Sequence, residues 1–164
     1  MFRWCGRTIG GMDTTTNQNT TITPADERVR LTRAMHDAAA AGDFDTVLAA
    51  FDPGIVWVND VGAGPWVGRF EGFDAVATML AEFLGFFEGT FATDVVDLCG
   101  SADRSVSVLD ERATKDGVGY ENRAVWVFRF EGDKVVEAIT ADLDRDEALA
   151  FWAKVADTSE SSSS

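Results

Sequence analysis

Apolar and polar residues alternate most regularly in GYENRAVWVFRF, residues 119–130. One parity takes Tyr120, Asn122, Ala124, Trp126, Phe128 and Phe130; the other takes Glu121, Arg123, Val125, Val127 and Arg129. A period of two predicts a strand whose two faces meet different surroundings. Residues 90–98, 104–114 and 134–143 read as further strands, separated by turns that contain Gly and Asp. In the last of these, Val136, Ala138, Thr140 and Asp142 share one face. The first half of the chain carries helical spacing instead. Thr23, Pro24 and Asp26 form a helix start, with a capping hydroxyl, a first-turn proline and an acid at the positive end. That helix runs to Gly42. Residues 44–51 predict a short second helix, stopped by Asp52-Pro53-Gly54, and residues 55–59 (IVWVN) predict a strand. Phe73, Val76, Ala77, Leu80, Phe83, Leu84 and Phe87 then recur at helical spacing. Asp144 and Glu147 resemble a capping box for a last, short helix to Val155. Helices followed by an antiparallel sheet predict an α+β domain, with one aromatic sheet face under the helices and a pocket between them.

The 164 residues suit one domain, with its folded body at residues 23–156. Residues 1–22 are largely polar and lack the apolar core of a signal peptide. Residues 157–164 (DTSESSSS) cannot bury enough apolar surface to offset their ordering entropy. Both ends are expected to be disordered. No uncharged apolar run approaches the roughly 18 residues of a membrane span. The 28 acidic against 14 basic residues give a formal charge of −14. Nucleic acid affinity rests largely on Lys and Arg neutralising phosphates, so neither nucleic acid nor an anionic membrane is an expected partner. Cys5 and Cys99 read as unpaired thiols in a reducing compartment, which makes a cytoplasmic location the expectation. One histidine, His36, does not make a zinc site, and it reads as a surface or core residue. No nucleophile elbow, P-loop or dinucleotide fingerprint occurs. No metal and no cofactor are expected.

The order of several segments resembles the nuclear transport factor 2 superfamily, in its SnoaL-like and ketosteroid-isomerase-like branch. These are AAAAGDFDTVLAAFDPGIVWVND, the Gly68-Arg69-Phe70-Glu71-Gly72 run, VWVFRFEGDKVVEA and TADLDRDEALAFW. The resemblance implies a curved antiparallel sheet wrapped around three N-terminal helices into a cone, with a central apolar pocket. It also implies a homodimer through the outer sheet face.

Three chemistries of that fold can be compared residue by residue. Against ketosteroid isomerases, VNDVGAGPWVG resembles the base-bearing loop with Asp60 at the base. Met35 and Trp126 take the two oxyanion-holding positions, and Met35 donates no hydrogen bond. Against limonene-epoxide hydrolases, Leu109-Asp110-Glu111-Arg112 resembles the arginine-bearing strand. Trp57 and Asn59 fall near the water-holding positions, but Thr114 and Thr140 stand where carboxylates should. Against SnoaL-like polyketide cyclases, Asp142 matches the acid–base carboxyl of the last strand. The resemblance therefore makes Asp142, Asp60 and Arg112 the candidate catalytic residues. The pocket candidates are Met35, Trp57, Asn59, Trp66, Tyr120, Asn122, Trp126, Phe128, Ala138 and Thr140.

Structural readings stand beside these. Asp60 also suits a turn before the Gly-rich loop, and strict alternation puts Asn59 and Asp60 on opposite faces. Asp142 also suits an ion pair with Arg112 or a lead into the last helix, and Arg112 suits a solvated strand. Burial of Asp142 among aromatics would raise its pKa. Glu111, Glu121 and Glu137 are assigned to the outer, solvated or dimer-facing side. Two functions follow: cofactor-free acid–base chemistry (cyclase, isomerase or hydratase-like) on a hydrophobic small molecule, or a non-catalytic ligand-binding or protein-interaction module.

Overall fold

The computed structural model describes residues 22–161, so the expected leader, Cys5 included, lies outside the described residues apart from Ile22. Helix α1 (Pro24–Ala40) opens on a capping box. The Thr23 hydroxyl accepts from the Asp26 N–H at 3.2 Å, and the Asp26 carboxylate accepts from the Thr23 N–H at 3.1 Å. Helix α2 (Phe44–Ala49) leads into β1 (Phe51–Asp60), then β2 (Gly68–Glu71) and α3 (Phe73–Phe86). The rest of the sheet is β3 (Ala92–Gly100), β4 (Arg104–Lys115), β5 (Val118–Glu131) and β6 (Lys134–Asp142), and α4 (Arg145–Ser161) follows. The strand order is β2-β1-β6-β5-β4-β3. Every neighbouring pair is antiparallel except β1 with β6, which the chain's return after five intervening elements makes parallel.

Several boundaries differ from those read in the sequence. Asp52-Pro53-Gly54 does not end an element. The Asp52 side chain accepts from the Gly54 N–H at 2.8 Å inside β1, where the register slips between Phe51 and Val56. Between the pairs Phe51↔Val135 and Val56↔Glu137, β1 takes five steps against two on β6, so the extra residues bulge outward and leave Pro53 and Gly54 exposed, while Phe51 and Ile55 on either side stay in the core. A register shift between Arg129 and Phe130 likewise buries Val135 in place of Val136. The final helix is not short: it continues through residues 157–161 of the expected tail, each added residue gaining one backbone hydrogen bond on a helix already nucleated.

The sheet curves around two apolar clusters. One joins Met35, Trp57, Val76, Met79, Phe128 and Val135. The other joins Phe87, Ala113, Tyr120, Ala148 and Phe151, with α4 packed against β5. Among the described residues, no helix is long and apolar enough to cross a membrane. Cys99 is a free, exposed thiol near the end of β3.

Candidate active site

Between the two clusters lies a cavity of ≈ 70 Å³, lined by Trp57 and Trp66 from the first and by Phe83, Phe87, Tyr120 and Trp152 from the second. Its roof is the loop after β1. Gly64, at φ +110°, lies so close to Trp152 that a Cβ there would come within 2.7 Å of the ring. Only glycine gives both that conformation and that approach. Trp66 meets Phe83, Phe86 and Trp152 edge-on, at ring-centroid distances of 5.4, 5.5 and 6.2 Å.

One carboxyl dominates this apolar space, and it belongs to Glu111. The residue is 7% exposed. Trp126 Nε1 donates to its Oε1 at 2.9 Å, while the Tyr120 hydroxyl and Asn122 Nδ2 donate to Oε2 at 3.2 and 3.3 Å. Burial pushes its pKa up to about 7. The three donors favour the charged form and hold it back from rising further, and the nearby charge of Asp142 adds to the rise. Burial also pushes the Tyr120 hydroxyl up, so that it stays a proton donor to Glu111.

Asp142 lines the same cavity, as its place in β6 predicts. Its Oδ1 accepts from Asn122 Nδ2 at 2.8 Å and its Oδ2 from the Gly62 N–H at 2.6 Å. Asn122 thus joins the two carboxyls through one NH2 group, and its own Oδ1 is buried without a hydrogen-bond partner. Opposite them, Asn59 accepts from Trp57 Nε1 at 2.9 Å and from the Thr140 hydroxyl, and donates to the Trp66 carbonyl at 2.9 Å.

The remaining candidates separate cleanly. Trp57, Asn59, Trp66, Tyr120, Trp126 and Thr140 line the cavity, and Asn122 stands behind Glu111. Met35, Phe128 and Ala138 lie in the apolar cluster instead. Asp60 is outside: β1 turns Asn59 inward and therefore Asp60 outward, leaving its side chain 72% exposed and 3.9 Å from Arg145. Arg112 is likewise outside the Glu111 cavity, exposed and paired with Asp94 on β3. No ion pair joins Arg112 to Asp142 among the described residues.

Glu111 faces the cavity and not the outer side expected for it, and β4 shows why. The inward parity of β4 carries Ser105, Ser107, Leu109, Glu111 and Ala113, and the outward parity carries Val106 and Val108. Hydrophobicity alone therefore inverts this strand. The signal that finds Glu111 is the turn. Asp116 and Gly117, both at positive φ, form the two-residue hairpin loop between β4 and β5. Counting back from Lys115↔Val118 sets Glu111 opposite Asn122, and cross-strand partners share a face. Among the described residues, no cluster of three or more His, Cys, Asp or Glu side chains could hold a metal.

The SnoaL-like domain model matches residues 32–138. No curated protein shows significant similarity to the chain. Bal32a, from a soil-derived mobile gene cassette, superposes with a TM-score of 0.73 at 22% identity, covering 79% of this chain and 99% of that one. A Xanthomonas campestris protein of unknown function with a cystatin-like fold gives 0.68 at 26% identity, over 76% and 97% of the two chains. An M. tuberculosis epoxide hydrolase of the LEH-like kind gives 0.61 at 17% identity, over 80% and 96%. The family model spans most of the body, from the second half of α1 to the middle of β6, and includes Glu111. The chain belongs to the SnoaL-like domain family.

Proposed function

We propose that this protein performs cofactor-free acid–base chemistry on a hydrophobic small molecule, with Glu111 as the group that moves the proton. The observation that carries this reading is a single buried carboxyl, set among aromatic rings and held by three donors, with its pKa near neutrality. A group so poised is present in both forms at pH 7, which general acid–base catalysis requires. As the carboxylate it takes a proton from a carbon or a hydroxyl of the substrate; as the acid it returns one to another atom of the same molecule. Trp126, Tyr120 and Asn122 stabilise the carboxylate that Glu111 carries before the first transfer and regains after the second; between them the carboxyl is neutral and the negative charge lies on the substrate. Asp142 fixes the Asn122 amide and, through Gly62, the roof loop. Cyclase and isomerase reactions fit this cycle, and a hydratase-like reaction fits it when the proton Glu111 takes comes from a water whose oxygen adds to the substrate. The likeness to an epoxide hydrolase supports small-molecule chemistry on this fold. The arginine and paired acids that such chemistry uses are not gathered around this cavity, where Thr140 stands in one acid's place.

The test is a ¹³C NMR titration of the Glu111 carboxyl. A midpoint near 7 is expected. Glu111→Gln should lower turnover by about 10²–10⁴-fold, the usual worth of a positioned acid or base, in a screen of apolar ketones, epoxides and polyketides. An ordinary carboxyl midpoint, with turnover surviving the substitution, would remove Glu111 from the chemistry, and an ordinary midpoint with no turnover in the wild-type protein would leave only the ligand-binding module.

A further inference from the structure

Behind Trp126 lies a second chamber, of ≈ 340 Å³, bounded by α1, α2, α3 and the start of β3. Ala39, Val47, Leu84 and Phe91 contribute to its wall. Trp57, Leu80, Phe83 and Trp126 line both this chamber and the Glu111 cavity. The two spaces therefore stand back to back, with the Trp126 indole in the partition. Protein interiors leave few voids larger than a water molecule, so packing does not account for an apolar space of this size. It falls instead within the roughly 300–1,000 Å³ of small-molecule sites. The Glu111 cavity, at ≈ 70 Å³, has room for a reacting group or a few waters, each needing about 10–15 Å³, but not for a whole substrate.

The chamber's polar groups define what it accepts. Arg112 and Asp94, both in its lining, pair with each other. His36 is hydrogen-bonded to Ser107 and is kept neutral by burial, which lowers its pKa to about 4. A charged body would find no counter-charge there and would lose its hydration. An uncharged one would lose nothing.

We infer that this chamber seats the apolar body of an uncharged, elongated substrate, whose one polar reacting group passes Trp126 to reach Glu111. The inference rests on the reading of Glu111 as the reacting carboxyl for its second half only. The seat of the body can be measured independently.

N-phenyl-1-naphthylamine, an uncharged apolar fluorophore, is the probe. Titration into the full-length protein should give a saturable fluorescence rise with a Kd of about 1–100 μM, modest for an unoptimised ligand. Methyl NMR shifts should move at Val47 and Leu84 and stay in place at Ala63 and Ala124, which line only the smaller cavity. Leu84→Trp fills the chamber and should weaken the probe by about tenfold or more, equivalent to at least ~1.4 kcal/mol. Absence of saturable binding overturns the inference, as do shifts confined to Ala63 and Ala124 or undiminished affinity in a folded L84W protein. Should L84W fail to fold, the wild-type shifts decide. Probe binding in the chamber with an ordinary Glu111 titration defeats the catalytic reading alone. A Glu111 midpoint near 7 without probe binding defeats the chamber alone.

Discussion

Glu111 binds its proton more tightly in the folded protein than in the unfolded chain, because burial lifts its pKa from 4.5 to about 7. Below 4.5 both states are protonated and no penalty exists. As pH rises through that window the folded state must release a proton it holds, so stability falls, by roughly 3 kcal/mol once both forms are charged. His36 works in the opposite direction. Its pKa is lowered by burial from 6.5 to about 4, so its contribution is complete above 6.5 and is lost as pH falls towards 4. Between 4.5 and 6.5 the two slopes oppose each other, and the wild-type protein should be nearly insensitive to pH on their account. Glu111→Gln removes one of them. Relative to wild type it should gain roughly 3 kcal/mol between pH 4.5 and 7, and its own stability should decline on acidification from 6.5. Chemical denaturation at four or five pH values checks both slopes; parallel curves for the two proteins would refute the burial argument. At this scale the sequence shows the cavity better than the chemistry. The parity of residues 119–130 correctly set Tyr120, Asn122 and Trp126 inward, and these are the three donors. Their common acceptor was hidden because a buried carboxylate and a solvated one have the same composition, and only the hairpin register tells them apart.

The same inversion of β4 explains how α1 docks. Thr32 and His36, one helical turn apart, meet Ser105 and Ser107, two strand residues apart. The Thr32 and Ser105 hydroxyls are 2.6 Å apart and the His36 and Ser107 atoms 2.9 Å, all four residues being buried. Helix and strand are thus joined by a short polar seam where an apolar one is usual. Ser105→Ala leaves the Thr32 hydroxyl buried without a partner and should cost about 1–3 kcal/mol. Thr32→Val with Ser105→Ala removes both ends of the bond and should recover most of that loss, since two matched apolar groups replace two matched polar ones. Thermal unfolding of the two single variants and the double variant gives the coupling. Additive losses would show that the seam contributes no specific pairing. Elements with strong periodicity or capping signals, α1, α3 and β5, were legible within a residue or two. β2 was not, because four residues, Gly68–Glu71, are too few to show a period; pairing with β1 and the packing of Phe70 against the core hold them. Asp52-Pro53-Gly54 predicts a turn that stops a helix, and it lies in a bulge of β1, because Asp-Pro-Gly carries the same local signal in a turn and in a bulge.

Across the whole sheet, the outer surface carries an apolar stripe that crosses four strands. The registers place Val106 beside Val127, Val127 beside Ile139 and Ile139 beside Val58, with Val108, Val125 and Ala141 in the adjoining row. These residues are half-buried, and among the described residues α1 and α4 meet the opposite face, through Thr32 with Ser105, His36 with Ser107 and Phe151 with Tyr120. A contiguous apolar patch of this kind is uncommon on a monomer. Because every residue in it belongs to a regular sheet, a second copy can lay the same surface across it about a two-fold axis. The expected state is therefore a homodimer through the outer sheet face. Each copy carries a formal charge of −14, so association works against a long-range repulsion that salt screens over about 8–10 Å at physiological ionic strength. Sedimentation velocity at about 10–50 μM, a range in which a modest interface associates, should show a dimer that tightens as salt is raised. Val127→Glu puts a charge at the centre of the stripe and on the face opposite Glu111, and it should yield a monomer in which Glu111 still titrates near 7. A wild-type protein that sediments as a monomer at every salt concentration would show that the stripe serves sheet stability alone.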